Sequence, residues 1–141
     1  EALNTTDPIF LYFRSNWDMF KNWSCVNITQ YREHRHNTYF FHEEYLDGNS
    51  RHHIRFTGNL EKGKDHNATM RVRPLYDFEK GKIYTLRYWN NTEKCFIVSV
   101  QRSNGRPKCE VYQWREKIDV RCGTMWASLP YRRCLNRGCE Q

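Results

Sequence analysis

Between residues 24 and 116 the chain alternates short β-branched and aromatic runs with polar, turn-forming clusters. Asp47-Gly48-Asn49-Ser50, Glu61-Lys62-Gly63-Lys64, Glu79-Lys80-Gly81-Lys82 and Asn90-Asn91 mark loops. The runs between them, with one more at the start, predict strands near 8–14, 24–32, 38–46, 52–60, 68–75, 82–89, 95–101 and 109–116. Eight strands with short connections, nearly all antiparallel, predict an all-β fold, either an up-and-down barrel or a sandwich. In 38–46, Phe40, His42, Glu44 and Leu46 share a face opposite Tyr39, Phe41, Glu43 and Tyr45. In 82–89, Tyr84, Leu86 and Tyr88 oppose Ile83, Thr85, Arg87 and Trp89. Aromatic residues on both faces fit a barrel with a lined cavity inside and a cover outside; a plain sandwich core is the alternative. No helix-period segment appears before residue 117. The closing stretch "RCGTMWASLPYRRCLNRGCEQ" is the one candidate, a short helix broken by Pro130 and packed outside the barrel.

The hairpin "KCFIVSVQRSNGRPKCEVYQW", residues 94–114, carries two cysteines. A loop centred on Asn104 sets Cys95 opposite Gln113 and Cys109 opposite Ser99. The cysteines are then four residues out of step, roughly 13 Å at ~3.3 Å per residue, beyond the ~7 Å Cα limit for a disulfide. Each must bond elsewhere, with Cys25, Cys122, Cys134 and Cys139 as candidates. The same register places Phe96, Val98, Val100, Glu110, Tyr112 and Trp114 on one face.

At 141 residues, one domain spanning 1–141 is expected, large enough for one core. Six cysteines suggest three disulfides and an oxidising compartment. Asn-x-Ser/Thr acceptors at Asn4, Asn22, Asn27, Asn67 and Asn90 make a strong joint signal for N-glycosylation and secretion. No charged-then-apolar leader opens the sequence, and the expectation is that a signal peptide has been removed. No apolar run approaches the ~20 residues needed to span a bilayer. A net charge of +7 with 16% aromatic residues invites a nucleic-acid reading. The basic residues are scattered, however, at Arg51, Arg55, Arg71, Arg73, Arg87, Arg102 and Arg106, as on solvated faces of alternating strands. Nucleic acid is therefore not expected as a partner, and weak attraction to anionic cell surfaces ranks above it.

Catalytic chemistry is poorly supported. None of the serines sits in a Gly-x-Ser-x-Gly turn, and no cysteine is obviously left over as a nucleophile. His34-Arg35-His36 and His52-His53 lack zinc spacing, so neither a metal site nor a cofactor is expected. The chain is not expected to be an enzyme.

The order Cys95-Phe96-Ile97, twelve residues, Glu110-Val111-Tyr112, nine residues, Cys122 resembles a signature of the tick salivary lipocalins. "IFLYFRS" ahead of "WSCVNIT" looks like that family's first two strands, and a late cysteine group closes the chain. The N-terminal helix and tryptophan that usually precede the first strand are minimal here. The resemblance implies an eight-stranded lipocalin barrel, secreted in saliva, that binds a small molecule and modulates host immune or inflammatory responses. It also implies a Cys95–Cys122 bond. Cys25 would then pair with Cys139 and Cys109 with Cys134, the last two pairs open to exchange.

In amine-binding members an Asp and the Glu of this signature hold the ligand's ammonium group. Glu110 keeps the second position, but Phe96 stands where the Asp would be. A buried ammonium without paired carboxylates is costly, so the departure implies a lipophilic ligand such as cholesterol, another sterol, or a fatty-acid derivative. The expected ligand-facing set is Tyr12, Phe40, His42, Phe56, Val72, Leu86, Tyr88, Phe96, Val98, Glu110, Tyr112 and Trp114. One alternative is a histamine or serotonin scavenger using Glu110 with Glu44 or Asp77. Another is an inhibitor that meets a host immune-cell protein through its surface. The protein is expected to act as a monomer.

Overall fold

The computed structural model describes residues 1–14, 23–63, 67–75, 81–100 and 108–117. Eight strands follow in order: β1 (Ile9–Arg14), β2 (Trp23–Arg35), β3 (Thr38–Asp47), β4 (Ser50–Lys62), β5 (Ala68–Pro74), β6 (Lys82–Asn90), β7 (Cys95–Val100) and β8 (Lys108–Trp114). Each pairs antiparallel with the next. The β1–β8 pairing, with Ile9 opposite Trp114 and Leu11 opposite Tyr112, closes the sheet into a barrel. That pairing removes both free edges and decides against the open sandwich. After β8 the described chain has one 3-10 turn, Arg115–Lys117. The predicted C-terminal helix lies outside the described residues.

Turn chemistry sets the registers. Asp47 opposes Ser50, and the two-residue loop between them carries Gly48 at φ +60°. This is the conformation a type II′ hairpin needs at its first central residue and glycine adopts it freely. At the β6–β7 turn, Asn90 Oδ1 accepts the backbone N–H groups of Thr92 and Glu93, each at 2.9 Å, and substitutes for backbone partners. Cys95 opposes Gln113 and Ser99 opposes Cys109, the stagger expected from a loop centred on Asn104.

Buried residues fall on two sides of the β7–β8 wall. Inside, Ile9, Leu11, Val26, Tyr45, Phe96, Val98, Tyr112 and Trp114 form one cluster with Ala2. Outside, Cys95, Ile97 and Val111 are fully buried, with Tyr88 and Cys109 packed against them. Removing Ile97 and Val111 from water contributes ~1.5–3 kcal/mol each. The N-terminal segment lies across one barrel end. Trp114 Nε1 donates to the Ala2 carbonyl at 2.9 Å, Gln30 Nε2 donates to the Leu3 carbonyl, and Arg115 N–H donates to Pro8 O at 3.2 Å. This strap covers that end of the barrel.

The cysteine pattern needs a correction. Cys25 and Cys109 are disulfide-bonded, but the Cys95 thiol is free, so the Cys95–Cys122 bond implied by the resemblance is not formed. The reason is where the side chain goes. Cys95 packs as a small apolar group beside Ile97 and Val111. Cys122, Cys134 and Cys139 lie outside the described residues. Cys95 should resist alkylation in the native protein and take up iodoacetamide when unfolded without reductant. A Cys95–Cys122 peptide in a non-reducing digest would contradict this.

Candidate functional site

Inside the barrel, on the side away from β1, is a chamber of about 240 Å³. Its far wall comes from β3–β6, where alternation turns Tyr39, Phe41, Phe56, Leu60, Met70, Val72, Tyr84 and Leu86 inward. Ile28 of β2 joins them, and Phe96, Val98 and Tyr112 form the near wall. Glu1, Ala2 and Leu3 of the strap close one end. The Phe96 and Tyr112 rings stack at 5.2 Å, and Trp89 lies tilted 6.4 Å from Phe96 and 5.6 Å from Trp114. Lys94 Nζ caps this aromatic row, 5.0 Å from the Trp114 ring centroid and 5.8 Å from that of Trp89.

Two carboxylates, Glu43 and Glu110, belong to the interior, and the exposed Glu1 stands at the chamber's end. Glu1 and Glu43 line the chamber. Glu110 is 3% exposed and does not line it; its Oε1 accepts a hydrogen bond from Tyr112 Oη at 2.9 Å. Burial, reinforced by the Glu43 and Asp47 charges, raises the Tyr45 phenol above its usual range, so it remains a neutral donor at neutral pH. A smaller hollow of about 170 Å³ lies by Cys25, Asn27, Glu44, Tyr45, Leu46 and Arg51.

Of the expected ligand-facing residues, Phe56, Val72, Leu86, Phe96, Val98 and Tyr112 line the chamber. Trp114 is buried at its closed end within the core. Tyr12 lies outside the described side chains. Two expectations fail for separate reasons. Phe40 and His42 are on the outer face: Phe40 meets Tyr31 and the Arg32 guanidinium, and His42 meets His53. The two-residue turn at Gly48 pairs Phe41 with inward Phe56, so Tyr39, Phe41 and Glu43 face the chamber instead. Tyr88 also points outward. The β6–β7 register shifts between Leu86 and Tyr88, a bulge at Arg87 that puts Tyr88 opposite Ile97 and Trp89 opposite Phe96. Arg87 Nε donates to Ser99 Oγ at 2.8 Å, fixing the bulge.

The second carboxylates expected for an amine site also move. Glu44 is on the outer face opposite His53, Asp77 lies outside the described residues, and Glu43 takes the chamber position. Of the five glycan acceptors, Asn4 is exposed and Asn67 half-buried. Asn27 Nδ2 donates to Cys25 O at 3.0 Å and Asn90 Nδ2 to Tyr88 Oη at 3.1 Å. Asn22 lies outside the described residues.

Gly58 is part of the site by what it lacks. A Cβ there would meet the Met70 sulfur and lie 3.1 Å from Phe41 Cε2. Gly58→Val should therefore push Met70 and Phe41 into the chamber. The variant is expected to fold, with affinity for an apolar fluorescent probe such as N-phenyl-1-naphthylamine reduced at least ~10-fold, about 1.4 kcal/mol. Unchanged probe binding would mean that the chamber is not where apolar ligands go.

A family model described as "Tick histamine binding protein" matches residues 1–141. Among solved structures, the chain is similar to japanin from Rhipicephalus appendiculatus bound to cholesterol, with a TM-score of 0.69 and 15% identity. The match covers 99% of this chain and 91% of that one, and shows a common fold. No curated protein matches the chain.

Proposed function

The chain belongs to the tick histamine-binding protein family, and within it we propose that this member captures a lipophilic ligand in its chamber rather than an amine. We read it as a secreted, glycosylated salivary protein that withdraws such a molecule from the host's immune or inflammatory signalling. The observation that carries this reading is Phe96, an aromatic ring stacked on Tyr112 in the chamber wall, where amine-binding relatives place an acid. A ligand burying ~300 Å² of apolar surface gains about 7 kcal/mol before the costs of immobilisation, enough for useful affinity without an ion pair.

The lining also says what the polar end of the ligand should be. Glu43 repels a ligand carboxylate, whereas a hydroxyl can donate to it. A neutral, hydroxyl-bearing lipid fits best, either a sterol or a neutral fatty-acid derivative. The 240 Å³ volume is below the ~300–1,000 Å³ of sites for drug-sized ligands. A slim ligand enters as the chamber stands, and a sterol requires side chains to move. Met70, unbranched and set against Gly58, is the natural one to swing aside. That japanin is bound to cholesterol is consistent with a sterol on this fold.

Glu43 gives the amine reading its own support, since it is a carboxylate among aromatic rings on the chamber wall. Two measurements separate the readings. Phe96→Asp should weaken binding of cholesterol or of a hydroxylated fatty-acid derivative at least ~10-fold, because a carboxylate in that wall must lose solvation or admit water. Calorimetry of the unmodified protein with histamine and serotonin at neutral pH should show no submicromolar binding. Submicromolar binding of either amine, abolished by Glu43→Gln, would promote the scavenger reading. Failure of both lipids and both amines would overturn the chamber as the site of function.

A further inference from the structure

Arginines that are scattered in sequence come together on the outside of the barrel. In β4, Arg51, His53 and Arg55 alternate with inward residues, and β5 contributes Arg71 and Arg73 on the same face. Arg32 of β2 opposes Phe40, Phe40 opposes Thr57, and Thr57 opposes Arg73. That row spans three strand spacings, ~14 Å across the sheet. Of these five arginines only Arg71 has an ion-pair partner among the described residues, Glu61 at 3.7 Å. Glu44 and Glu61 are the only carboxylates at the outward positions of β3, β4 and β5 among the described residues, and β2 adds the exposed Glu33 beside Arg32.

Two of the guanidinium groups are held in place. Arg32 lies over the Phe40 ring at 4.3 Å, and Arg55 over the Tyr31 ring at 4.8 Å. Arg73 is half-buried, and its Nε, itself buried, has no hydrogen-bond partner among the described residues. Ordering by the rings lowers the entropic cost of engaging an anion, and arginine's planar fork suits oxyanions with two or three oxygens.

We propose that the outer face of β2–β5 is a docking surface for a sulfated polysaccharide. Charge complementarity selects a polyanion, and three features select this class. The Tyr31 and Phe40 rings are already covered by arginines, so they offer no platform on which nucleobases could stack. Leu75 is the one large hydrophobic residue exposed among the described residues, so the face has little with which to enter a lipid bilayer. Disulfide-bonded Cys25 and Cys109 belong to an oxidising, extracellular setting, where the extended polyanions are sulfated glycans. Such docking would hold the barrel near the tissue where its chamber ligand is released.

The test uses the full glycosylated chain from eukaryotic cells on immobilised heparin in 150 mM NaCl. Arg55→Gln with Arg73→Gln should weaken binding at least ~10-fold and lower the slope of log affinity against log salt by about two. Arg115→Gln with Lys117→Gln removes the same charge from the exposed turn after β8 and should change affinity less than ~2-fold. Thermal unfolding and apolar-probe binding check that the face variant is folded with its chamber intact. Equal losses in the two double variants, retention on fully desulfated heparin, or tighter binding to single-stranded DNA or to phosphatidylserine vesicles would each overturn the proposal. So would the absence of heparin binding.

Discussion

Phe96 lies opposite Tyr112 in the β7–β8 ladder, and the character of the near chamber wall follows from that pairing. Side chains alternate with a period of two, so sliding β7 by one residue would bring Cys95, Ile97 and Ser99 inward and expel Phe96, Val98 and Val100. The register is held from beyond the strands as well. Gln113 is fully buried and its Nε2 donates to the carbonyls of Glu93 and Lys94, tying β8 to the β6–β7 turn. Trp114 N–H bonds to Lys94 O, while its indole N–H bonds to Ala2 O. One residue thus joins the hairpin to the turn before it and to the strap that closes the chamber.

Much of this was legible in the sequence because turn residues and β-branched runs leave little freedom. The eight strands fall within two residues of the predicted starts and within three of the predicted ends, and the stagger of Cys95 and Cys109 follows from the loop length. The face of β3 was harder, since aromatic residues occupy both sides of Thr38–Asp47. The deciding information was in β4, where Ile54, Phe56 and Leu60 alternate with His53, Arg55, Thr57 and Asn59. Together with a two-residue turn at Gly48-Asn49, an inward Phe56 requires an inward Phe41 and excludes Phe40 and His42. No comparable signal announces the bulge at Arg87. Strict alternation through Leu86 sends Tyr88 inward, and only the pairing with β7 reveals the extra residue. The strap was equally hidden, because Ala2 and Leu3 are too few to carry any periodicity.

Charge shows the same limit from the other side. Along the chain, Arg51, Arg55, Arg71 and Arg73 look dispersed, which argued against a nucleic-acid partner. The spacings of Arg51 with Arg55 and of Arg71 with Arg73 are even, so each pair must share a face once its segment is a strand. Whether the strands formed an up-and-down barrel or a sandwich was left open, and with it which outer faces adjoin. The up-and-down order sets β4 beside β5 and turns both pairs to the same side.

The alternation that gathers arginines outside also keeps positive charge out of the chamber, and this bears on ligand choice. The acidic side chains of the interior are Glu43 and Glu110. An amine would be attracted by them but would have to cross the field of a protein carrying a net charge of +7, screened only beyond ~8–10 Å. An anionic lipid faces the opposite problem, drawn to the outside and repelled within. A neutral ligand is indifferent to the outer field and needs only one donor to meet a chamber carboxylate. The barrel can therefore carry a strongly basic exterior without affecting what enters it, provided that the ligand is uncharged. Phe96 in place of an acid keeps the interior consistent with that condition.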